Sequence, residues 1–320
     1  MIVPDKLPPL FGLPGTWEKI LVSLGLSGRP LVKVCYKEFS FIFKAISQEY
    51  SVRQFQVWNC LGHVKKRGFN LLPDFVMPFK GGSRAYHADY FWECTKWFPG
   101  ESLEYEKEKS YLYNAFGVLA DFHHALSSIK VEKSLVSCPL LNRRSILKDF
   151  HEYILKVKIR EIESDFMKEV VHLMVNLLPV VLPKFERIND SKSMQWCWGD
   201  SRLANFIFYN QKVKGIIDFE AMKVNPLEAD FARLMADFEP WEDSNWQKAL
   251  EAYDDFGSFD VSLAKFYCLS GLACALVRWA KWLSKPCDSI QLNQQQLIRG
   301  NEILEKLNKW KKHGFETRAF

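Results

Sequence analysis

The chain has 320 residues, of which 48% are hydrophobic and 25% charged, with Gly at 16 and Pro at 14 positions. That is ordinary globular composition, long enough to bury a sizeable core, and it excludes disordered, collagenous and low-complexity classes. The formal net charge of +5 suits the handling of an anion but lacks the dense basic stripe of a nucleic-acid binder, so no nucleic-acid partner is expected.

Eight cysteines show no C-x-x-C pair and no His at zinc-finger spacing, so neither a disulfide framework nor a structural zinc site is expected. Residues 1–17 carry no basic-then-apolar export pattern, and the expected compartment is a reducing cytoplasm. The most apolar stretch, residues 266–277, falls short of the ~20 residues a membrane span needs. It reads as a buried helix, with no membrane partner.

In chain order, Gly25-Leu26-Ser27-Gly28 precedes two β-branched and aromatic runs, residues 31–36 and 39–46, separated by Lys37 and Glu38 as in a hairpin. In the second run Phe39, Phe41, Phe43 and Ala45 share one face while Ser40, Ile42, Lys44 and Ile46 share the other. Lys44 is therefore a lone charge on a half-apolar face, either functional or a lysine that snorkels along the strand. Val52, Phe55, Trp58, Leu61 and Val64 recur at helical spacing. Residues 85–98 are extended and aromatic and end at the turn signal Pro99-Gly100.

After Gly100 the pattern becomes helical. Leu112, Ala115, Phe116, Leu119, Phe122 and Leu126 form one stripe, with His123 and His124 read as packing residues. Ile162, Phe166, Val170, Leu173, Met174 and Leu177 form another, which Pro179 is expected to end. A strand-like island spans residues 194–217, and helical patterning returns from Glu228.

The island carries the chemistry. Trp198-Gly199-Asp200-Ser201-Arg202-Leu203-Ala204-Asn205 feeds a strand, a turn at Asn210-Gln211-Lys212, and a second strand ending in Asp218. Antiparallel pairing brings Asn205 and Asp218 to the same open end, with Asp200 on the loop just before. Two oxygen-bearing side chains there suit a hard cation that leaves the rest of its shell to water and phosphate, and Asp200 is free to accept a proton. Turn and cap chemistry is the plainer alternative for these three residues.

Asp200, then Asn205, then a strand pair ending in Ile217-Asp218-Phe219 resembles the catalytic loop and metal loop of the aminoglycoside phosphotransferase family, which also includes choline, homoserine and sugar kinases. The interval from Asp200 to Asp218 agrees with that family, and the segment Glu228-Ala229-Asp230-Phe231-Ala232-Arg233-Leu234 looks like its acidic helix start. The resemblance implies a two-lobed protein-kinase-like α+β fold. Residues 1–96 would be a small, strand-rich nucleotide-binding lobe and 97–320 a larger helical lobe for catalysis and substrate. It implies ATP and Mg as cofactors and transfer of the γ-phosphate to a hydroxyl of a small polar molecule. Asp200 would be the catalytic base, and Asn205 and Asp218 would hold magnesium. Lys44 would neutralise the phosphates, Thr95, Lys96 and Trp97 would meet adenine through their backbone, and Ser27 and Gly28 would belong to the phosphate-covering loop.

The sequence departs from the family at several points. Trp198 stands where the catalytic loop usually begins with His, chiefly a packing and orienting residue, and Glu220 stands where the metal loop often has Gly. The helix after Lys44 offers Gln54 and Gln56 but no Glu to pair with Lys44. These departures motivate a second expectation, a catalytically weak kinase-fold ligand-binding protein. Asp230 reads as a structural helix cap that braces the catalytic loop. The acidic, aromatic residues 237–243 read either as a solvated loop or as a contact for a cationic substrate.

Overall fold

The computed structural model describes residues 6–13, 17, 19–24, 29–82, 84–103, 109–131, 139–188, 194–253, 259–284 and 290–314. In chain order α1 (Leu7–Leu10) is followed by β1 (Lys19–Leu24), β2 (Pro30–Tyr36), β3 (Phe39–Ile46), α2 (Gln48–Lys66), β4 (Phe75–Val76), β5 (Ala85–His87), β6 (Tyr90–Lys96) and β7 (Glu101–Ser102). Then come α3 (Lys109–Leu126), α4 (Pro139–Lys156), α5 (Asp165–Val181), β8 (Met194–Cys197), β9 (Phe206–Tyr209), β10 (Lys212–Ile216) and β11 (Lys223–Pro226). The chain continues through α6 (Leu227–Met235), α7 (Asp243–Tyr253), α8 (Val261–Leu283) and α9 (Ile290–Lys312).

The N-terminal sheet is antiparallel in the order β1-β2-β3-β6-β4, with β5 on β6. The expected hairpin is β2–β3, and Lys37 closes it at φ 51°, the left-handed geometry usually left to Gly or Asn. Strand alternation then sorts the side chains. Val32, Val34, Phe43, Ala45, Trp92 and Cys94 are buried against Leu7 and Phe11, while Ile42, Lys44, Glu93 and Thr95 line the cleft on the other side.

Ser47 starts α2, its hydroxyl accepting the Tyr50 N–H at 3.1 Å. The buried face of this helix is Tyr50, Gln54, Val57, Leu61 and Val64. Val52 and Phe55, expected on its apolar stripe, are 81% and 66% exposed. The reason is polar: Gln54 Nε2 donates to the buried Glu93 carboxylate at 3.0 Å, and an unpartnered buried carboxyl costs more than two exposed apolar side chains.

The larger core gathers the α3 stripe, all of it buried as expected, with α4 to α9. Ser164 caps α5 through the Met167 N–H, so Ile162 precedes the helix, and the helix runs through Pro179 to Val181 rather than ending at the proline. A proline this close to the C-terminus removes only one ladder bond. Helices at 165–186 and 261–283 are long and apolar enough to cross a membrane by length and composition, and α8 extends well beyond the expected 266–277. Here α8 packs against α4, α6 and α9 and is mostly buried.

Two small strand pairs position the chemistry. Strands β9 and β10 form the expected hairpin, turning through Asn210 and Gln211 at φ 49° and 62°, the signature of a type I′ turn. Strand β8 pairs with β11, which brings the chain on either side of the hairpin together. The Ile217 N–H donates to the Asn205 carbonyl at 2.9 Å, so Asn205 and Asp218 share one end of the hairpin.

Candidate active site

The loop after β8 is fixed by its backbone. Asp230 on α6 accepts the Trp198 N–H at 2.6 Å and the Gly199 N–H at 2.8 Å. It lies within the first turn of α6, so it braces the loop without being the helix cap, which falls at Pro226. His123 links Asp230 at 3.0 Å to the Tyr253 hydroxyl at 2.6 Å. With Nε2–H donating to the carboxylate, Nδ1 accepts from the tyrosine. His123, Cys197 and Asp230 form a compact buried group, but both histidine nitrogens are engaged and burial pushes the Cys197 thiol well above its ordinary value. The group is a hydrogen-bonded brace.

Gly199 is required where it sits. Its φ is +82°, and a Cβ would collide with the Ala221 carbonyl oxygen. The loop and the segment after β10 therefore meet backbone to backbone. Trp198, fully buried, donates its indole N–H to the Asp218 carbonyl at 2.9 Å. Asp218 has φ 64°, a conformation few non-glycine residues adopt.

Lys44 crosses the cleft to Asp218 Oδ1 at 2.7 Å and Glu220 Oε2 at 3.4 Å. It also stands directly opposite Glu93 in the β3–β6 register. Burial lowers the lysine pKa, but Asp218, Glu93 and Glu220 together leave it above its ordinary value. Glu93 thus stands across from Lys44 on the neighbouring strand, bonded to Gln54, while the carboxylates in contact with Lys44 are Asp218 and Glu220. Burial drives Glu93 up to about 7, against the pull of Lys44 and Gln54. Glu220 is held down to about 2: burial opposes this, and the Arg29 hydrogen bond and Lys44 outweigh it. Arg29 reaches Glu220 at 2.7 Å, and Arg53 donates to the Glu220 and Met222 carbonyls.

Three recesses meet here. One of about 250 Å³ is lined by Lys44, Thr95, Lys96, Trp97, Phe98 and Asp218, among others. Another, of about 380 Å³, is lined by Asp200 and residues of α4, α6, α8 and α9. An open recess of about 330 Å³ contains Asp200, Asp218 and Glu220 and joins them. Thr95, Lys96 and Trp97 thus border the cleft, with two of their amides engaged in the sheet. The Lys96 N–H is bonded to the Asp74 carbonyl and the Trp97 N–H to the Ser40 carbonyl, both at 2.9 Å, because the strand ladder continues to that point. Among the described residues the Phe98 N–H has no hydrogen-bond partner. Ser27 and Gly28 lie outside the described residues.

Asp200 pairs with Arg233 Nε at 3.1 Å. Asn205 directs its Nδ2 to the Asp200 carbonyl at 2.7 Å and carboxylate at 3.2 Å, which leaves its Oδ1 as an acceptor. Asp218 uses Oδ1 on Lys44 and keeps Oδ2. An amide oxygen and a carboxylate oxygen at one hairpin end fit a hard divalent cation such as magnesium. The acidic stretch 237–243 contributes only Asp237 to this region. Asp237 is buried and already accepts from Leu203 N–H and Arg299, with Lys306 at 3.7 Å. It offers nothing to a cationic ligand. The roles of Glu93 and Arg233 escaped the sequence reading; a lone carboxylate in the aromatic run of β6 was the available signal for the first.

The model of the phosphotransferase enzyme family (APH) matches residues 41–264. No curated protein matches the chain. Among solved structures, an aminoglycoside phosphotransferase from Alicyclobacillus acidocaldarius is similar at 17% identity and TM-score 0.63, covering 98% of this chain and 97% of that one. A spectinomycin phosphotransferase in complex with ADP and spectinomycin is similar at 12% identity and TM-score 0.68, covering 95% and 94%. A microcompartment-associated aminopropanol kinase is similar at 12% identity and TM-score 0.65, covering 98% of each. With more than half of its length matched by the family and a small strand-rich lobe joined to a larger helical one, this chain belongs to the phosphotransferase enzyme family and has the two-lobed protein-kinase-like fold.

Proposed function

We propose that the chain is an ATP- and magnesium-dependent kinase that moves the γ-phosphate to a hydroxyl of a small polar molecule. Residues 1–96 form the nucleotide-binding lobe and 97–320 the lobe for catalysis and the acceptor. The carrying observation is that Asp200 and Asp218 share the recess joining two deep clefts, one bordered by Lys44 and the 95–98 segment, the other by Asp200 and Arg233. The spectinomycin phosphotransferase of the same fold is in complex with ADP, which supports a nucleotide cosubstrate.

In this reading adenine enters beside residues 95–98, and Lys44 exchanges its carboxylate contacts for the phosphates. Asn205 Oδ1 and Asp218 would hold a magnesium ion, whose chemistry there would be to neutralise charge on the phosphates. Asp200 orients the acceptor hydroxyl and takes its proton as the oxygen bonds to the γ-phosphorus. The bond to the β–γ bridging oxygen breaks, and ADP leaves with that electron pair. Arg233 and Asn205 keep the Asp200 carboxylate in place. Glu93, opposite Lys44 on the neighbouring strand and bonded to Gln54, supports reading the missing helix carboxylate as offset there.

The test is ADP release with a panel of hydroxyl compounds in wild type and Asp200→Asn. The substitution should lower turnover by about 10²–10⁴ with Mg·ATP affinity retained. Turnover within tenfold of wild type would overturn the assignment of the base.

A further inference from the structure

The cleft beside Asp200 is walled by cations. Arg233 is neutralised by Asp200, and Arg299 and Lys306 face Asp237. Four more line the same cleft: Arg143 from α4, Arg202 from the loop, Lys223 from β11 and Arg278 from α8. Among the described residues none of these four has a carboxylate within ion-pair distance. The carboxylates lining the cleft are Asp200, Asp230 and Asp237, and each is already engaged.

Arg143 is held in place, Arg202 and Lys223 are partly buried, and Arg278 is exposed at the rim. Arg143 donates to the Tyr267 carbonyl at 2.6 Å and the Ser270 hydroxyl at 3.1 Å, with its guanidinium 4.7 Å from the Tyr267 ring centroid. Its terminal nitrogens lie close to Gly271, 3.4 Å from where a Cβ would stand. Arg202 Nε is buried with no hydrogen-bond partner. Burial first, then Arg233 and Arg299, lowers the pKa of Arg202; burial first, then Arg143 and Arg53, lowers that of Lys223. Asp237 and Asp200 oppose the lowering at Arg202 and Asp230 opposes it at Lys223, but cations outnumber carboxylates along the cleft, and an anion bound there would offset that excess through charge-assisted hydrogen bonds.

We propose that the acceptor is an anionic hydroxy compound, a small molecule whose carboxylate or phosphate is held by Arg143, Arg202, Lys223 and Arg278 while its hydroxyl faces Asp200. This rests on the phosphotransferase reading of the same site. It departs from the amine-bearing aminopropanol for which one structural neighbour is named, because the cleft offers an ammonium no unengaged carboxylate among the described residues.

The experiment is calorimetric titration, with and without saturating Mg·ADP, using four ligands on one three-carbon scaffold: glycerate, glycerol 3-phosphate, glycerol and 3-amino-1,2-propanediol. The proteins are wild type and the double variant Lys223→Gln/Arg278→Gln. At least one anion should bind tenfold or more tightly than the neutral and amine compounds, and the double variant should lose at least tenfold of that affinity while binding Mg·ADP as before. The stronger anion identifies whether carboxylate or phosphate is preferred. Tighter binding of the amine or neutral diol, no binding of either anion, or anion binding undiminished in the variant would overturn the proposal. Anion binding lost in the variant, in a protein that does not bind Mg·ADP, would sustain the anion-binding cleft and overturn the phosphotransferase reading instead.

Discussion

The indole N–H of Trp198 donates to the backbone carbonyl of Asp218 at 2.9 Å, joining the loop that carries Asp200 to the residue that faces Lys44. The sequence comparison with the kinase-like pattern marks Trp198 as a departure, since His is usual there. Its ring packs edge-on to Phe206 and Phe122 and stacks on Phe219. Packing and orientation are thus both supplied by a larger side chain.

Trp198→Phe keeps an aromatic ring and removes the donor. A buried carbonyl left without its partner costs about 1–3 kcal/mol, and Asp218 loses one constraint on its left-handed backbone. Urea unfolding should show a loss of that size, with weaker Mg·ATP binding. Unchanged stability and affinity would mean the bond orients nothing.

Gly199→Ala should be more damaging than its single methyl suggests. The position needs both positive φ and contact with the Ala221 carbonyl, so a loss of at least about 2 kcal/mol is expected on strain alone. Stability within about 0.5 kcal/mol of wild type, read by denaturant midpoint, would contradict the close approach of the two loops.

Glu93 makes stability pH-dependent in a direction opposite to most carboxylates. Its pKa is raised to about 7 in the folded chain, with burial the main cause. The folded state therefore holds this proton more tightly than the unfolded state, and stability from this group falls as pH rises from about 5 through 7, by up to about 3 kcal/mol. Glu93→Gln should flatten the unfolding free energy of the ligand-free protein across that window. An unchanged slope in the variant would place the titration elsewhere.

How much of this was legible in the sequence depends on how far apart the partners lie. Asp200, Asn205 and Asp218 sit in one short loop and hairpin, and strand alternation alone put Lys44 on the cleft face. Glu93 and Gln54 could not be paired without knowing that β6 lies beside β3 and under α2. That pairing also explains why Val52 and Phe55 are exposed: the helical stripe counted apolar residues, whereas the buried face includes Gln54. Arg143, Lys223 and Arg278 come from three separate elements, and only the tertiary fold gathers them along one cleft. Which amides beside the cleft are engaged depends on pairing that the sequence does not show, since Lys96 bonds to Asp74 and Trp97 to Ser40.

The most direct measurement is thermal unfolding of wild type and Asp218→Asn with saturating ATP and magnesium, with an EDTA control. Ligand at about 100 times its dissociation constant adds roughly 2.7 kcal/mol, a shift of several degrees at most for a chain of this size. The account predicts a magnesium-dependent rise in wild type that EDTA and Asp218→Asn both abolish. No shift in wild type, or the same shift in the variant, would contradict it.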